Sequence, residues 1–269
     1  MAEGIRLCIS GICGQMGTKM FKLAEADRAI GHISGIDLID NGLVPVHRVS
    51  INAADLKSKE IQTVLAQTDV LLIFHDNPLS AAAQAKQAAK KGVAVVIGTT
   101  GFSFTDLADI RGLRKKTAIA QTYNFSLGMT VFAKTIRRIA SNLPSGYHVE
   151  IVEEHHFKKL DAPSGTAFML AQEICAARGL KPEKAIQCGR SGRSDDVRDN
   201  GIVGIQSVRG GSIAGIHEVI FAGPGETLRF KHEAGDPGVF AQGALAAVKW
   251  LAGKPAGIYT MADVYGLNV

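Results

Sequence analysis

Cysteine and long apolar runs are both scarce in this chain, and each scarcity excludes a class of protein. The four cysteines among 269 residues show neither CxxC spacing nor the framework of a disulfide-rich secreted domain. No apolar run reaches about 18 residues, so we expect no membrane-spanning helix and no membrane partner. The chain begins with a strand-like segment rather than a signal peptide, and we therefore expect a cytoplasmic protein in a reducing environment.

A strong excess of one charge is also lacking. The formal net charge is +5, and the Lys and Arg residues are scattered rather than gathered into long runs. We therefore expect no nucleic-acid partner, because a small anionic ligand accounts for the excess equally well. A composition of 46% hydrophobic and 20% charged residues is that of an ordinary globular protein, and the length allows one large domain or two modest ones.

A glycine-rich turn follows the first predicted strand, Ile5–Ser10. The turn at residues 11–17 and the helical run at 18–26 are typical of a site where backbone N–H groups approach a pyrophosphate. A second predicted strand ends at Asp37, at the distance where an acid commonly binds a ribose hydroxyl. We therefore predict a dinucleotide site, and the alternative is a tight turn that only packs a helix on a strand.

Strand and helix patterns continue to alternate after this turn. Residues 68–74 and 93–97 are rich in β-forming residues and flank a helical run at 79–91, which predicts a parallel, doubly wound sheet. Gly98-Thr99-Thr100 falls at the carboxyl end of the later strand, where sheets of this kind bind ligands. The alternative is a plain connection between a strand and a helix.

The pattern changes after residue 146, where several strands follow a single helix. The strand-like segments are residues 149–153, 206–209, 217–221 and 226–232. We expect the last three to form an antiparallel sheet with turns at residues 210–211 and 223–225, and a final helix at residues 240–251. The predicted domains are residues 1–127 with 237–269, and residues 128–236.

Residues 153–167 gather two histidines, two lysines and a turn of small residues, in the order Glu-Glu-His-His-Phe-Lys-Lys-Leu-Asp-Ala-Pro-Ser-Gly-Thr-Ala. Imidazole exchanges a proton near neutral pH, and lysine can donate a proton or anchor an anion. Ser164 or Thr166 can cap the helix that follows, and Gly179 can end it. Because N–H groups at a helix start suit a carboxylate or phosphate, the segment predicts proton donors beside an anion site. The alternative is a solvated strand end before an ordinary capped helix.

These motifs together resemble the 4-hydroxy-tetrahydrodipicolinate reductase family, formerly called dihydrodipicolinate reductases, of bacterial lysine and diaminopimelate synthesis. The resemblance runs almost from end to end, and its most specific part is residues 153–167. The supporting motifs, in chain order, are Gly11-x-x-Gly14-x-Met16-Gly17, Gly98-Thr99-Thr100-Gly101-Phe102, Asn124-Phe125-Ser126-x-Gly128 and Phe240-Ala241-x-Gly243-Ala244.

The resemblance implies an α/β fold, with a doubly wound parallel Rossmann sheet that binds the dinucleotide. It also implies a central α+β domain, with a mixed or antiparallel sheet, that binds substrate and assembles a homotetramer. The implied reaction is reduction of a small cyclic dicarboxylate by NADH or NADPH. The implied proton-transfer pair is His155 and Lys159, and the implied substrate-binding residues are His156, Ser164, Gly165 and Thr166. The implied cofactor-binding residues are Gly11, Ile12, Cys13, Gly14, Gln15, Met16, Gly17, Asp37, Leu38, Gly98, Thr99, Thr100, Thr122, Tyr123, Asn124 and Phe125.

The sequence departs from the family pattern at positions that usually carry positive charge. Gln15 and Leu38 stand where basic residues are common, so nothing there matches the 2′-phosphate of NADPH, whereas Asp37 matches a free ribose. We therefore expect both cofactors to bind, with NADH preferred. Residues 236–238, Asp-Pro-Gly, replace a usual Ser-Arg pair near the substrate.

Two other functions are open at this point. The missing arginine is compatible with a nucleotide-binding regulator or an inactive relative of the same fold. A Rossmann dehydrogenase acting on an amino-acid semialdehyde is disfavoured, because that chemistry needs a placed cysteine and residues 153–167 contain none. We expect no metal site at His155 and His156, because adjacent side chains of an extended chain point to opposite faces.

Overall fold

Strands and helices alternate along most of the computed structural model, which describes residues 4–37, 48–50, 59–194 and 197–267. Within these residues the strands are β1 (Ile5–Ser10), β2 (Ile30–Asp37), β3 (Arg48–Ser50), β4 (Val70–Ile73), β5 (Ala94–Ile97), β6 (Ala118–Gln121), β7 (His148–His155), β8 (Ile186–Cys188), β9 (Val203–Arg209), β10 (Ile216–Gly223), β11 (Glu226–Glu233) and β12 (Gly257–Tyr259). The helices are α1 (Gln15–Glu25), α2 (Lys59–Ala66), α3 (Pro78–Lys90), α4 (Phe104–Gly112), α5 (Leu127–Asn142), α6 (Gly165–Arg178), α7 (Pro182–Ala185), α8 (Gly238–Leu251) and α9 (Met261–Val264). The chain divides into two units, one ending at Leu127 and resuming at Gly238, the other spanning Gly128–Pro237.

The first unit is built on a seven-stranded parallel sheet with the strand order β3-β2-β1-β4-β5-β6-β12. All side chains of β4 and β5 are buried, as expected for strands covered on both faces. One face packs on α1 and α8, and the other packs on α2 and α3. The predicted doubly wound Rossmann sheet is therefore confirmed.

The second unit contains a five-stranded mixed sheet with the order β11-β10-β7-β9-β8. Its central strand β7 pairs antiparallel with β10 and parallel with β9. Alternate β7 residues are buried, and Val149 and Ile151 among them share one core with residues of α5 and α6.

Residues 206–209 and 217–221 run in opposite directions as expected, but the wholly antiparallel sheet with a turn at residues 210–211 is wrong. The glycines at 210–211 do not join neighbouring strands, because β9 and β10 lie on opposite edges of β7. The reason is the helix α6 between β7 and β9, since a helical crossover returns the chain parallel to the strand that it left. The sheet is consequently mixed.

Several short elements were not predicted, namely β3, β8, β12, α2, α7 and α9. Across the described ranges, no helix combines the length and the apolar character needed to cross a membrane.

Close packing of α8 on the chain before α5 depends on Gly243. A Cβ at this position would lie 1.9 Å from the carbonyl oxygen of Phe125, which is backbone that cannot swing away. Gly112 offers a matched control, because it is also helical, with φ −62° and ψ −27°, and a Cβ there would meet nothing within 4 Å.

We expect Gly243→Ala to lower the free energy of unfolding by about 1–3 kcal/mol, the usual cost of overpacking. Gly112→Ala should be neutral or stabilising by up to about 1 kcal/mol, because alanine favours the helical backbone. Urea unfolding of both variants measures the difference, and equal effects of the two substitutions would contradict the packing argument.

Candidate active site

The glycine-rich turn of the first unit joins β1 to α1. Gly11 has a backbone φ of +84°, which glycine adopts without strain, and a Cβ there would lie 2.6 Å from the carbonyl oxygen of Phe74. At Gly17 a Cβ would lie 2.0 Å from the carbonyl oxygen of Gly11, so the first turn of α1 packs directly on backbone. Gly14, which is exposed just before α1, adds no side chain to this turn.

An acid at the end of β2 holds the same turn. The N–H of Cys13 donates to Oδ2 of Asp37 over 2.7 Å, and the N–H of Gly11 donates to the carbonyl oxygen of Ile36 over 2.8 Å. Gly14 occupies the capping position of α1, and because glycine has no side chain, no side-chain hydrogen bond caps the helix. The first N–H groups of a helix lack intrahelical partners, so this end of α1 is suited to an anion such as a pyrophosphate.

Two further predicted segments follow β5 and β6. Thr99 is buried, and its hydroxyl donates to the carbonyl oxygen of His75 over 2.6 Å. The hydroxyl of Thr122 donates to the carbonyl oxygen of Asn124 over 2.9 Å and accepts from its N–H over 3.1 Å. Phe125 is buried in the core. These side chains fix the two loops rather than extending into solvent.

The predicted cofactor-binding residues thus lie at the carboxyl ends of β1, β2, β5 and β6, the edge where doubly wound sheets bind ligands. Those that the structure describes are Gly11, Ile12, Cys13, Gly14, Gln15, Met16, Gly17, Asp37, Gly98, Thr99, Thr100, Thr122, Tyr123, Asn124 and Phe125. Leu38 lies outside the described residues. The side chain of Ile12 is buried in the core, so this residue offers only its backbone to a ligand.

Glu153 is the centre of a buried polar cluster in the second unit. It lies on β7 two residues before His155, so strand alternation places both side chains on the buried face. Arg209 clamps the carboxylate through two bonds, from Nη1 to Oε2 at 2.8 Å and from Nη2 to Oε1 at 2.7 Å. Nη2 also donates to the carbonyl oxygen of Asp161 over 2.5 Å, which ties the loop after β7 to β9.

His155 and the start of α6 share this carboxylate. Nδ1 of His155 lies 2.5 Å from Oε2 of Glu153, and the N–H of Ser164 donates to Oε1 over 3.1 Å. Burial of the carboxylate favours its neutral form. Hydrogen bonds from His155, Arg209 and Ser207 outweigh burial and hold the pKa of Glu153 well below its ordinary 4.5. Glu153 is therefore ionised at neutral pH.

Ser164 caps α6 and contacts a second buried histidine. Its Oγ accepts from the N–H of Ala167 over 3.2 Å and lies 3.1 Å from Nε2 of His217. The rings of His217 and His155 meet edge to face, with centroids 5.2 Å apart. Burial, followed by the charge interaction with His155, lowers the pKa of His217 from 6.5 to about 3. His217 is therefore neutral at physiological pH.

Lys159 belongs to the loop between β7 and α6. Its Nζ pairs with Oδ1 of Asp161 at 2.7 Å, and its charge contributes to the low pKa of His217, after burial and His155. The neighbouring Lys158 instead lies over the ring of Phe157, at 5.6 Å from the centroid.

The predicted residues of this unit come from three consecutive pieces of chain: the end of β7, the loop and the first turn of α6. His155 is buried, His156 is half-buried, and Ser164 and Thr166 are both buried. Of the two predicted caps of α6, Ser164 rather than Thr166 is the cap, and the predicted end of the helix at Gly179, with φ +66°, is confirmed. The remaining predicted residues in these pieces are Lys159 and Gly165.

The sequence analysis assigned no role to Glu153, Arg209 or His217. The predicted strand ended at Glu153, whereas β7 extends to His155, and the two-residue spacing on the longer strand is a signal that could have placed both on one face. Arg209 and His217 come from strands 56 and 53 residues away from their partners, and no local pattern links them. Nowhere in the described ranges do three or more His, Cys, Asp or Glu side chains form a group that could hold a metal ion.

The two units define a class of protein. The first unit has a glycine-rich turn at the edge of a Rossmann sheet, and the second has a cluster of histidine and lysine beside a helix start. This combination is typical of a dinucleotide-dependent oxidoreductase.

Comparison with known proteins identifies the family. The family model "Dihydrodipicolinate reductase, N-terminus" matches residues 5–125, and "Dihydrodipicolinate reductase, C-terminus" matches residues 128–265. Proteins named 4-hydroxy-tetrahydrodipicolinate reductase are similar, at 37% identity over 98% of both chains in Bradyrhizobium diazoefficiens and 36% over 100% of both in Caulobacter vibrioides. The structure of a dipicolinate-bound dihydrodipicolinate reductase from Paenisporosarcina sp. TG-14 covers 97% of this chain and 98% of its own, with 25% identity and a TM-score of 0.70.

The chain therefore belongs to the dihydrodipicolinate reductase family. The prediction of an NAD(P)H-dependent oxidoreductase of this family is confirmed.

The neutral His217 makes stability depend on pH. Its pKa is 6.5 ordinarily and about 3 in the folded protein, so between these values the unfolded chain binds a proton that the folded chain does not. Stability from this residue is complete above pH 6.5 and falls by about 1.4 kcal/mol per pH unit below it.

Because of His217, the free energy of unfolding should fall by about 2 kcal/mol between pH 7 and pH 5, and we expect His217→Gln to abolish this part of the fall. Urea unfolding at both pH values measures the difference. Both pH values lie above 4.5, the ordinary pKa of Glu153, so ionisation of Glu153 contributes little to the difference. His32→Gln at an exposed position is the control. A His217 variant with the same pH dependence as the unsubstituted protein would show that the buried histidine is not responsible.

Proposed function

We propose that this protein reduces 4-hydroxy-tetrahydrodipicolinate to tetrahydrodipicolinate with NAD(P)H, in the diaminopimelate route to lysine. The observation that carries the proposal is that Glu153 joins His155 to the cap of α6, with His156 and Lys159 in the connection between them. Family membership supports it, as does the dipicolinate bound to the Paenisporosarcina relative. A cytoplasmic location is part of the proposal.

A dicarboxylate needs cations and backbone donors, and this end of the second unit offers both. His156 and Lys159 supply positive or hydrogen-bonding side chains, and the N–H groups of Gly165 and Thr166 open α6. Ser164 has a different part, because its hydroxyl caps Ala167 and its N–H donates to Glu153. We infer that Ser164 supports the binding turn that Gly165 and Thr166 present.

The chemistry requires a hydride and a proton. A bound nicotinamide supplies the hydride, and the carbon next to the reduced position then needs a proton. In this proposal His155 and Lys159 hold and deliver that proton. In the overall reaction the hydroxyl group leaves as water together with a proton from the neighbouring carbon. The hydride takes the place of the hydroxyl group and a proton returns to that neighbouring carbon, so atoms and charges balance.

The first unit fits a dinucleotide on its own geometry. Gly11 and Gly17 leave no side chains between the turn and α1, and α1 has no side-chain cap at Gly14. We propose that the N–H groups at the start of α1 bind the pyrophosphate and that Asp37 binds the adenosine ribose. The bond from Cys13 to Asp37 holds the acid against the turn.

Assembly as a homotetramer is the remaining part of the proposal. The face of the mixed sheet opposite α5 and α6 carries half-buried apolar residues, including Val152 and Ile220 in the central strands. A second copy of the chain could cover this face. Light scattering of the purified protein measures the assembly directly.

We expect Lys159→Ala and His155→Ala each to lower turnover by about 10²–10⁴-fold, the range for a lost general acid or base. Cofactor affinity should be unchanged, because both residues lie outside the unit that we propose for the dinucleotide. The assay couples the variants to freshly made synthase product and follows cofactor absorbance. Lys158→Ala, in the same loop but over Phe157, is the matched control and should retain turnover.

Cofactor binding without any turnover by the unsubstituted protein would overturn the proposed reaction and favour a nucleotide-binding regulator. Normal turnover by either alanine variant would remove that residue from the proton-transfer step.

Cofactor choice gives a separate prediction. The carboxylate of Asp37 repels the 2′-phosphate of NADPH, and the position of Gln15 offers no cation, so we expect NADH to bind more tightly. Asp37→Asn removes the charge while its amide oxygen can still accept from Cys13. The NADH preference should then fall by roughly tenfold, or about 1.4 kcal/mol. Dissociation constants for both cofactors at one salt concentration provide the comparison, and tighter NADPH binding by the unsubstituted protein would refute the argument.

A further inference from the structure

We propose that Glu153 is a positioning residue, which fixes the ring of His155 so that Nδ1 donates to the carboxylate and Nε2 is the atom left for proton transfer. The role given to Nε2 rests on the proposed function. The ring orientation rests on contacts within the second unit alone, so it can be tested separately.

The direction of the bond between Glu153 and His155 follows from the state of the carboxylate. Glu153 is ionised at neutral pH, and an ionised carboxylate only accepts hydrogen bonds. Because Nδ1 lies 2.5 Å from Oε2, this nitrogen must carry the proton. Nε2 is then free either to accept a proton or to lose one, as a proton-transfer group requires.

The carboxylate cannot rotate away from this arrangement. Oε2 receives Nη1 of Arg209 as well as His155, and Oε1 receives Nη2 of Arg209 and the N–H of Ser164. A two-pronged bond from arginine fixes the plane of the carboxylate. The same plane therefore sets both the ring of His155 and the start of α6.

Two neighbours of the ring leave Nε2 without an added side chain or an added charge. Gly215 has φ +156°, and a Cβ at that position would lie 3.2 Å from Nε2. With glycine there, no side chain from this position covers the nitrogen. On another side the ring meets His217, which is neutral at physiological pH, so His217 brings no positive charge next to His155.

Glu153→Gln tests the orientation of the His155 ring without changing the size of the side chain at position 153. The side chain keeps its shape, and its amide oxygen at the Oε1 position can still accept from Ser164 and from Nη2 of Arg209, whereas the bond from Nη1 is lost. The amide nitrogen then faces Nδ1 as a donor, so the ring must accept there and carry its proton on Nε2. A neutral imidazole holds that proton too tightly to deliver it.

The first measurement needs no substitution of Glu153. Nitrogen-15 NMR of the full-length protein labelled at histidine reports which ring nitrogens are protonated, and the His155 signals are assigned by their loss in His155→Gln. We expect a protonated Nδ1. An unprotonated Nδ1 in the unsubstituted protein would overturn the proposal, whether or not the proposed reaction is correct.

The second measurement is the kinetic effect of Glu153→Gln. We expect kcat to fall by about 10²–10⁴-fold, as for a lost proton-transfer group, with KM for the dicarboxylate changed by less than about threefold. Glu183→Gln, at an exposed position in the same unit, is the matched control. An unchanged kcat in Glu153→Gln, with or without a raised KM, would overturn the proposal. If this variant does not fold, the NMR measurement decides alone.

Discussion

A buried carboxylate without a partner is among the most costly groups that a folded protein can contain, and the second unit is arranged to avoid that cost. Glu153 is fully buried and receives bonds from Arg209, Ser164 and His155. These partners come from β9, the start of α6 and β7. Because each must reach the same two oxygen atoms, the three elements have one workable arrangement. The geometry of the candidate proton-transfer group is thus set by the need to match a buried charge.

The first unit is held by a different constraint, which is contact between backbones. Gly17 lets α1 pack on the carbonyl group of Gly11, and Gly243 lets α8 pack on that of Phe125. Both contacts bring a helix closer to the carboxyl edge of the sheet than any side chain would allow. The edge that we propose for the dinucleotide is therefore shaped by residues that have no side chains to contribute.

Local patterns carried much of the prediction. The capping of α6 by Ser164, its end at Gly179 and the buried strands β4 and β5 each follow from a few neighbouring residues. The order of strands in the mixed sheet does not follow from neighbouring residues, because the pairing of two strands depends on where the helix between them returns the chain. Arg209 and His217 were missed for the same reason, since their partners are more than fifty residues away.

The division of the chain into units also has a consequence for synthesis. Gly128–Pro237 is inserted between β6 and α8, so the first unit receives α8 only after the whole inserted unit has been made. Ala244, Val248 and Leu251 of α8 are fully buried in its core. The inserted unit has every strand of its sheet by Glu233 and can close earlier. The N-terminal part of the Rossmann sheet therefore exposes the apolar surface that α8 later covers while the inserted unit is being made, and exposed apolar surface of this kind favours aggregation.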